Sequence, residues 1–105
     1  MKSLGQKDAG SKVELVVGDE VAIELPETPT SGFRWSTSEL PAVLRLADDH
    51  FDAPGSTRPG APGTRRMTFQ AIGVGAGTLL LQLAARTPRL TSATPFTAFI
   101  KVVEG

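Results

Sequence analysis

What most constrains this chain is an alternation of apolar and polar residues that recurs with period two along nearly its whole length. In "KVELVVGDEVAIELP", Val13, Leu15 and Val17 alternate with polar positions, and Val21, Ile23 and Leu25 repeat the pattern after Gly18 and Asp19. Successive side chains of an extended strand point to opposite faces, so each segment has one face to bury and one to wet. Two such runs around a Gly-Asp pair predict a hairpin. Further strands are predicted at 33–36, 43–46, 50–52, 65–72, 79–86 and 96–103, and no long stretch carries a 3.6-residue period. Between them lie "APGSTRPGAPG", "GVGAG" and "RTPRLTSATP", rich in residues that interrupt regular structure. About seven short strands in about 100 residues predict an all-β fold, an immunoglobulin-like antiparallel β-sandwich.

Length and composition bound what such a sandwich does. With 105 residues and 40% apolar content, one core suffices, and residues 12–105 are expected to form a single domain. Residues 1–11 are polar and glycine-bearing without an apolar run, which predicts a flexible N-terminal tail and no signal peptide. The compartment stays open: secreted or periplasmic if a leader was removed, cytoplasmic otherwise. Eleven basic and eleven acidic side chains cancel, leaving no global field to attract nucleic acid or an anionic membrane. The longest apolar run, around 78–85, falls far short of the roughly 20 residues that cross a bilayer. A neutral surface with charged edge strands is compatible with a monomer.

Chemistry is sparse. The absence of cysteine excludes disulfides, thiolate metal sites and a cysteine nucleophile, and one histidine without any tyrosine leaves no hydroxyl with an assignable base. No catalytic residue and no cofactor is expected. Asp48, His50 and Asp52 share one strand face at period-two spacing, but no fourth ligand is identifiable, so a solvated edge strand is expected in preference to a metal site.

If the main strands reverse direction in turn, the connections after the second, fourth and sixth emerge at the same end. Those are residues 26–32, 54–63 and 87–95, which hold most of the unusual proline and glycine chemistry. The opposite end keeps only compact glycine turns. Such an asymmetry predicts a binding end.

Within the first of these connections, "TPTSGFRW" resembles the Asn-Pro-Thr-Thr-Gly-aromatic-x-Trp stretch of the chagasin family, immunoglobulin-fold inhibitors of papain-like cysteine peptidases. "GAPGTRRMTFQAIGVGAGTLLLQLAART" is similar to that family's glycine-rich loop, following strand, glycine turn and the strand leading to an Arg-Pro-aromatic loop. The resemblance spans about residues 13–103. It implies that three loops at one end enter a peptidase's cleft, the first over the catalytic centre and the others on either side. Carried over, the partner-binding residues are Thr28, Pro29, Thr30, Ser31, Gly32 and Phe33, then Gly60, Ala61, Pro62 and Gly63, then Arg86, Thr87, Pro88 and Arg89.

Several positions depart from the pattern. Thr28 stands where asparagine is usual, Pro62 stiffens a flexible position, Thr87 intervenes between Arg86 and Pro88, and Arg89 with Leu90 replaces the aromatic. Loss of an aromatic hot spot corresponds to about 2 kcal/mol or more, about thirtyfold in affinity. The physical logic of the first loop stands by itself. Proline fixes the backbone before contact, small Thr30 and Ser31 allow close approach, and Gly32 permits a positive backbone angle. The competing expectation is an adhesion or scaffolding module of the same fold that has lost peptidase binding through its divergent third loop.

Overall fold

The computed structural model describes residues 2–28, 32–53, 60–85 and 94–105. Among these, eight strands form two sheets: β1 (Lys2–Leu4), β2 (Ser11–Val16), β3 (Glu20–Glu27), β4 (Phe33–Glu39), β5 (Leu44–Asp52), β6 (Gly63–Ala71), β7 (Gly75–Ala85) and β8 (Thr94–Val103). One sheet has the order β1-β3-β6-β5 and the other β2-β8-β7-β4. Their inner faces meet in a core that includes Leu15, Ile23, Trp35, Phe69, Leu81, Phe96 and Ile100. The alternation produces this directly in β2 and β8, where Val13 and Leu15, and Phe96, Ala98 and Ile100, are buried while their neighbours reach the outer faces; in β6 Met67 and Phe69 are buried with Thr68 between them.

The expected sandwich is present, with four differences in detail. First, β2 and β3 are not a hairpin; they lie in different sheets. Val17 N donates to Val103 O at 3.1 Å on β8, whereas Gly18 N already donates to Ala71 O at 2.9 Å at the end of β6. The chain therefore changes sheets within two residues, helped by Gly18 at φ 98° and by Asp19, whose carboxylate accepts from Val16 N at 2.9 Å. A hairpin and a sheet switch demand the same alternation, because both strands face one core.

Second, the sheets are mixed rather than antiparallel. β1 runs parallel to β3 and β2 runs parallel to β8, the latter from Ser11 opposite Ala98 to Val16 opposite Val103. Third, the segments expected separately at 43–46 and 50–52 are one strand, β5, whose register against β6 shifts between Leu46 and Asp48. The extra residue turns the outward-facing set into Asp48, His50 and Asp52 and points Asp49 and Phe51 toward Arg65. Fourth, residues 1–11, expected as a tail, contribute β1 and a single 3-10 turn at Gln6–Asp8. Ladder bonds to β3, a hydrogen bond from Gly5 N to the Asp8 carboxylate at 2.8 Å and the packing of Leu4 against the core hold the segment in place. Among the described residues, no helix is long and apolar enough to cross a membrane.

Candidate functional site

β3, β5 and β7 run toward one end of the sandwich, and β4, β6 and β8 start from it. Register fixes this within each sheet: Glu27 lies opposite Gly63 and Asp52 opposite Thr64, while Phe33 lies opposite Ala85 and Leu83 opposite Thr94. Contacts between the sheets join the two sets. Trp35 on β4 donates its backbone N–H to Glu27 Oε1 at 2.7 Å and its indole Nε1–H to Pro26 O at 2.9 Å, both acceptors being on β3. The strand ends carrying connections 28–32, 53–62 and 86–93 thus share one end of the molecule. Fusion of the two β5 segments into one strand keeps the alternating direction that this arrangement needs.

Of the residues expected to touch a partner, Thr28, Gly32, Phe33, Gly60, Ala61, Pro62 and Gly63 are described, and all flank these openings. Pro29, Thr30, Ser31, Arg86, Thr87, Pro88 and Arg89 lie outside the described residues. Gly32 and Gly60 adopt φ of 81° and 79°, the region that disfavours any side chain, and among the described residues no atom lies within 4 Å of a Cβ built on either. Gly63 is required for a different reason. It is buried, and a Cβ there would run into the Phe51 ring and the Asp52 carbonyl, so β5 and β6 approach too closely for any other residue.

Beneath this end lies a polar cluster that the motif comparison does not include. Glu27 and Arg65 side chains are 6% and 7% exposed, and Arg65 Nη2 donates to Glu27 Oε2 at 2.8 Å. Arg65 Nε reaches Glu27 Oε1 at 3.3 Å, and Nη1 donates to Asp49 Oδ1 at 3.2 Å. The guanidinium sits 5.4 Å from the Phe51 ring centroid, a cation–π distance. Hydrogen bonding to Glu27 first, and then the Glu27 and Asp49 charges, raise the Arg65 pKa further against the opposing effect of burial. A signal for this pair exists in the sequence. Glu27 continues the inward phase of Val21, Ile23 and Leu25, and Arg65 that of Met67, Phe69 and Ala71, so strict alternation places two opposite charges in the core.

On the outer face of β5, His50 Nδ1 lies 2.7 Å from Asp48 Oδ2 and Nε2 lies 3.5 Å from Asp52 Oδ2. Each ring nitrogen faces its own carboxylate, an arrangement for a protonated imidazolium rather than for convergent metal ligands. No group of three or more His, Asp or Glu residues among those described can hold a metal ion. The hydrogen bond to Asp48 raises the His50 pKa above 6.5, aided by the Asp52 and Asp48 charges and opposed by desolvation and by Arg66. A raised folded-state value means that the protonated contact stabilises fully below the unfolded value and fades as pH rises through the folded one. An NMR titration is expected to place His50 above 6.5 in the native protein and lower in Asp48→Asn. A native value at or below 6.5 would contradict the contact.

This fold and these motifs have counterparts. Residues 14–100 match the family model described as "Chagasin family peptidase inhibitor I42". No curated protein sequence matches the chain. Among solved structures, the cysteine protease inhibitor EhICP2 from Entamoeba histolytica superposes with a TM-score of 0.87 at 18% identity, covering 97% of this chain and 95% of that one. Amebosin, solved in solution, gives 0.79 at 20% identity with 97% of both chains covered. PbICP-C, solved in complex with falcipain-2, gives 0.70 at 13% identity, covering 98% of this chain and 100% of the other. At such identities the structural likeness speaks for the fold, whereas the sequence match over most of the domain decides kinship: the chain belongs to the chagasin family of peptidase inhibitors, proteins that block peptidases and are not enzymes themselves.

Proposed function

We propose that the protein inhibits papain-like cysteine peptidases reversibly and without covalent chemistry, by inserting one end of the sandwich into the active-site cleft. In this reading Thr28, Pro29, Thr30, Ser31, Gly32 and Phe33 lie over the catalytic centre. Gly60, Ala61, Pro62 and Gly63 grip one side, and Arg86, Thr87, Pro88 and Arg89 the other. The single observation that carries it is the gathering of all three openings at one end, with β3 and β4 joined there through Trp35. Among the described residues, the connections at the other end are tight turns, such as the one in which Leu44 N donates to Pro41 O at 3.0 Å. The chain has no cysteine, which excludes disulfide exchange with the peptidase thiolate, and in this reading blockade comes from shape and exclusion of substrate. The complex of the structurally similar PbICP-C with falcipain-2 supports the choice of target class.

The test is a titration of active-site-counted papain-like peptidases with this protein. Inhibition that is saturable, is released on dilution and leaves the chain uncleaved by mass spectrometry is expected. Full peptidase activity at micromolar protein across such a panel would refute the proposal.

A further inference from the structure

We infer that Glu27 and Arg65 are positioning residues for this end of the molecule, one ion pair that sets the spacing between the two openings at 28–32 and 53–62. The role deepens the inhibitory reading above and rests on it. Glu27 is the last residue of β3, where the first opening begins, and it accepts from Trp35 N on β4, where that opening closes. Arg65 stands near the start of β6, where the second opening closes. It reaches Asp49 by a 3.2 Å hydrogen bond and lies over the Phe51 ring at 5.4 Å from its centroid, both on β5, where the second opening starts. All four arms therefore meet at two side chains joined by a 2.8 Å contact.

The chemistry suits positioning better than it suits stability. Removing two charges from water offsets most of their attraction, so buried pairs often add little to folding compared with apolar residues of similar size. What such a pair supplies is direction. The planar guanidinium donates to Glu27 and Asp49 while lying over the Phe51 ring, and rotating any arm breaks one of those contacts. A binding surface built on separate strands loses less freedom on docking when its arms are already fixed.

The experiment compares the native protein with the double variant Glu27→Gln/Arg65→Met. It removes both charges, keeps an acceptor for Trp35 N and preserves volume. Melting temperature, backbone amide order parameters at Thr28, Gly32 and Gly60, and dissociation rate from a papain-like peptidase are measured together. The expected result is a nearly unchanged melting temperature, lower order parameters at those sites and about tenfold faster dissociation. Unchanged order parameters, or lowered ones with unchanged dissociation, would overturn the role. If the double variant does not fold, Arg65→Lys decides by the same readouts, since lysine keeps the charge and loses the fork. If the native protein inhibits no such peptidase, the functional proposal fails, and the order parameters alone judge the clamp.

Discussion

Replacing Gly32 by glutamate is expected to leave a folded sandwich and weaken peptidase inhibition by about a hundredfold or more, close to 3 kcal/mol of binding free energy. Two separate effects combine. In the free protein Gly32 has φ 81°, where a side chain costs about 1–2 kcal/mol, and a domain of this size tolerates that within a stability of about 5–15 kcal/mol. Among the described residues no atom lies within 4 Å of a Cβ at Gly32, so the new side chain meets open space there and no core residue. That open space is what the proposed wedge presents to a cleft. A carboxylate there is stripped of water on docking without a partner of its own. Gly32→Ala separates the two effects, because it brings the backbone strain without the charge, and its loss of affinity is expected to be clearly smaller. Inhibition constants and thermal melts on the native protein and both variants provide the check. Two folded variants with native inhibition would remove Gly32 from the contact surface.

The sequence shows the faces of the strands far better than their partners. Alternation in "KVELVVGDEVAIELP" names most of the residues that enter the core: Val13, Leu15, Val21, Ile23 and Leu25 are buried as it requires, whereas Val17, at the sheet switch, is 43% exposed and Ala22 is buried out of phase. It is silent about which sheet each strand joins, because β2 and β3 face the same core from opposite sides. Only the partners of Val17, Gly18 and Ala71 reveal the switch. Strand β1 is hidden for the complementary reason: "KSL" is held by register against Val21, Ala22 and Ile23, and Leu4, its one apolar residue to pack against the core, is too little to show a period. The bulge between Leu46 and Asp48 broke a continuous strand into two apparent pieces, since each side of it has its own phase.

At the candidate site the order is reversed. The connections announce themselves through "TPTSG" and "GAPG", whereas the side chains that hold their arms show only as charges in the inward phase of their strands. Glu27 and Arg65 are 38 positions apart, and nothing local connects them. Only the in-register pairing of β3 with β6, together with the inward phase of both residues, turns two unremarkable charges into one buried contact. Likewise the glycine at 63 is explained by the Phe51 ring and the Asp52 carbonyl across the sheet, not by the conformation of its own backbone.

Trp35→Ala is expected to be the most destabilising single change in the domain, about 3–5 kcal/mol, which for about 100 residues lowers the melting temperature by roughly 15–30 °C. Trp35 is 3% exposed, lies opposite Leu83 on β7 and spans the gap between the sheets to reach Pro26 O. Its removal opens a cavity that the surrounding strands cannot close without breaking their ladders, and it leaves the Pro26 carbonyl without the indole donor. Trp35→Phe isolates the second effect, since the ring still fills most of the space. It is expected to cost only about 1–2 kcal/mol, from the lost hydrogen bond and a residual void. Far-UV circular dichroism is the proper reporter, because this is the chain's single tryptophan and its fluorescence vanishes with it. If phenylalanine proves as damaging as alanine, the hydrogen bond to Pro26 outweighs burial, and the chief value of Trp35 is to tie β4 to β3 rather than to fill the core. A loss below about 1 kcal/mol for alanine would mean that the two sheets hold their spacing at this end without it, which the close packing of interiors does not allow.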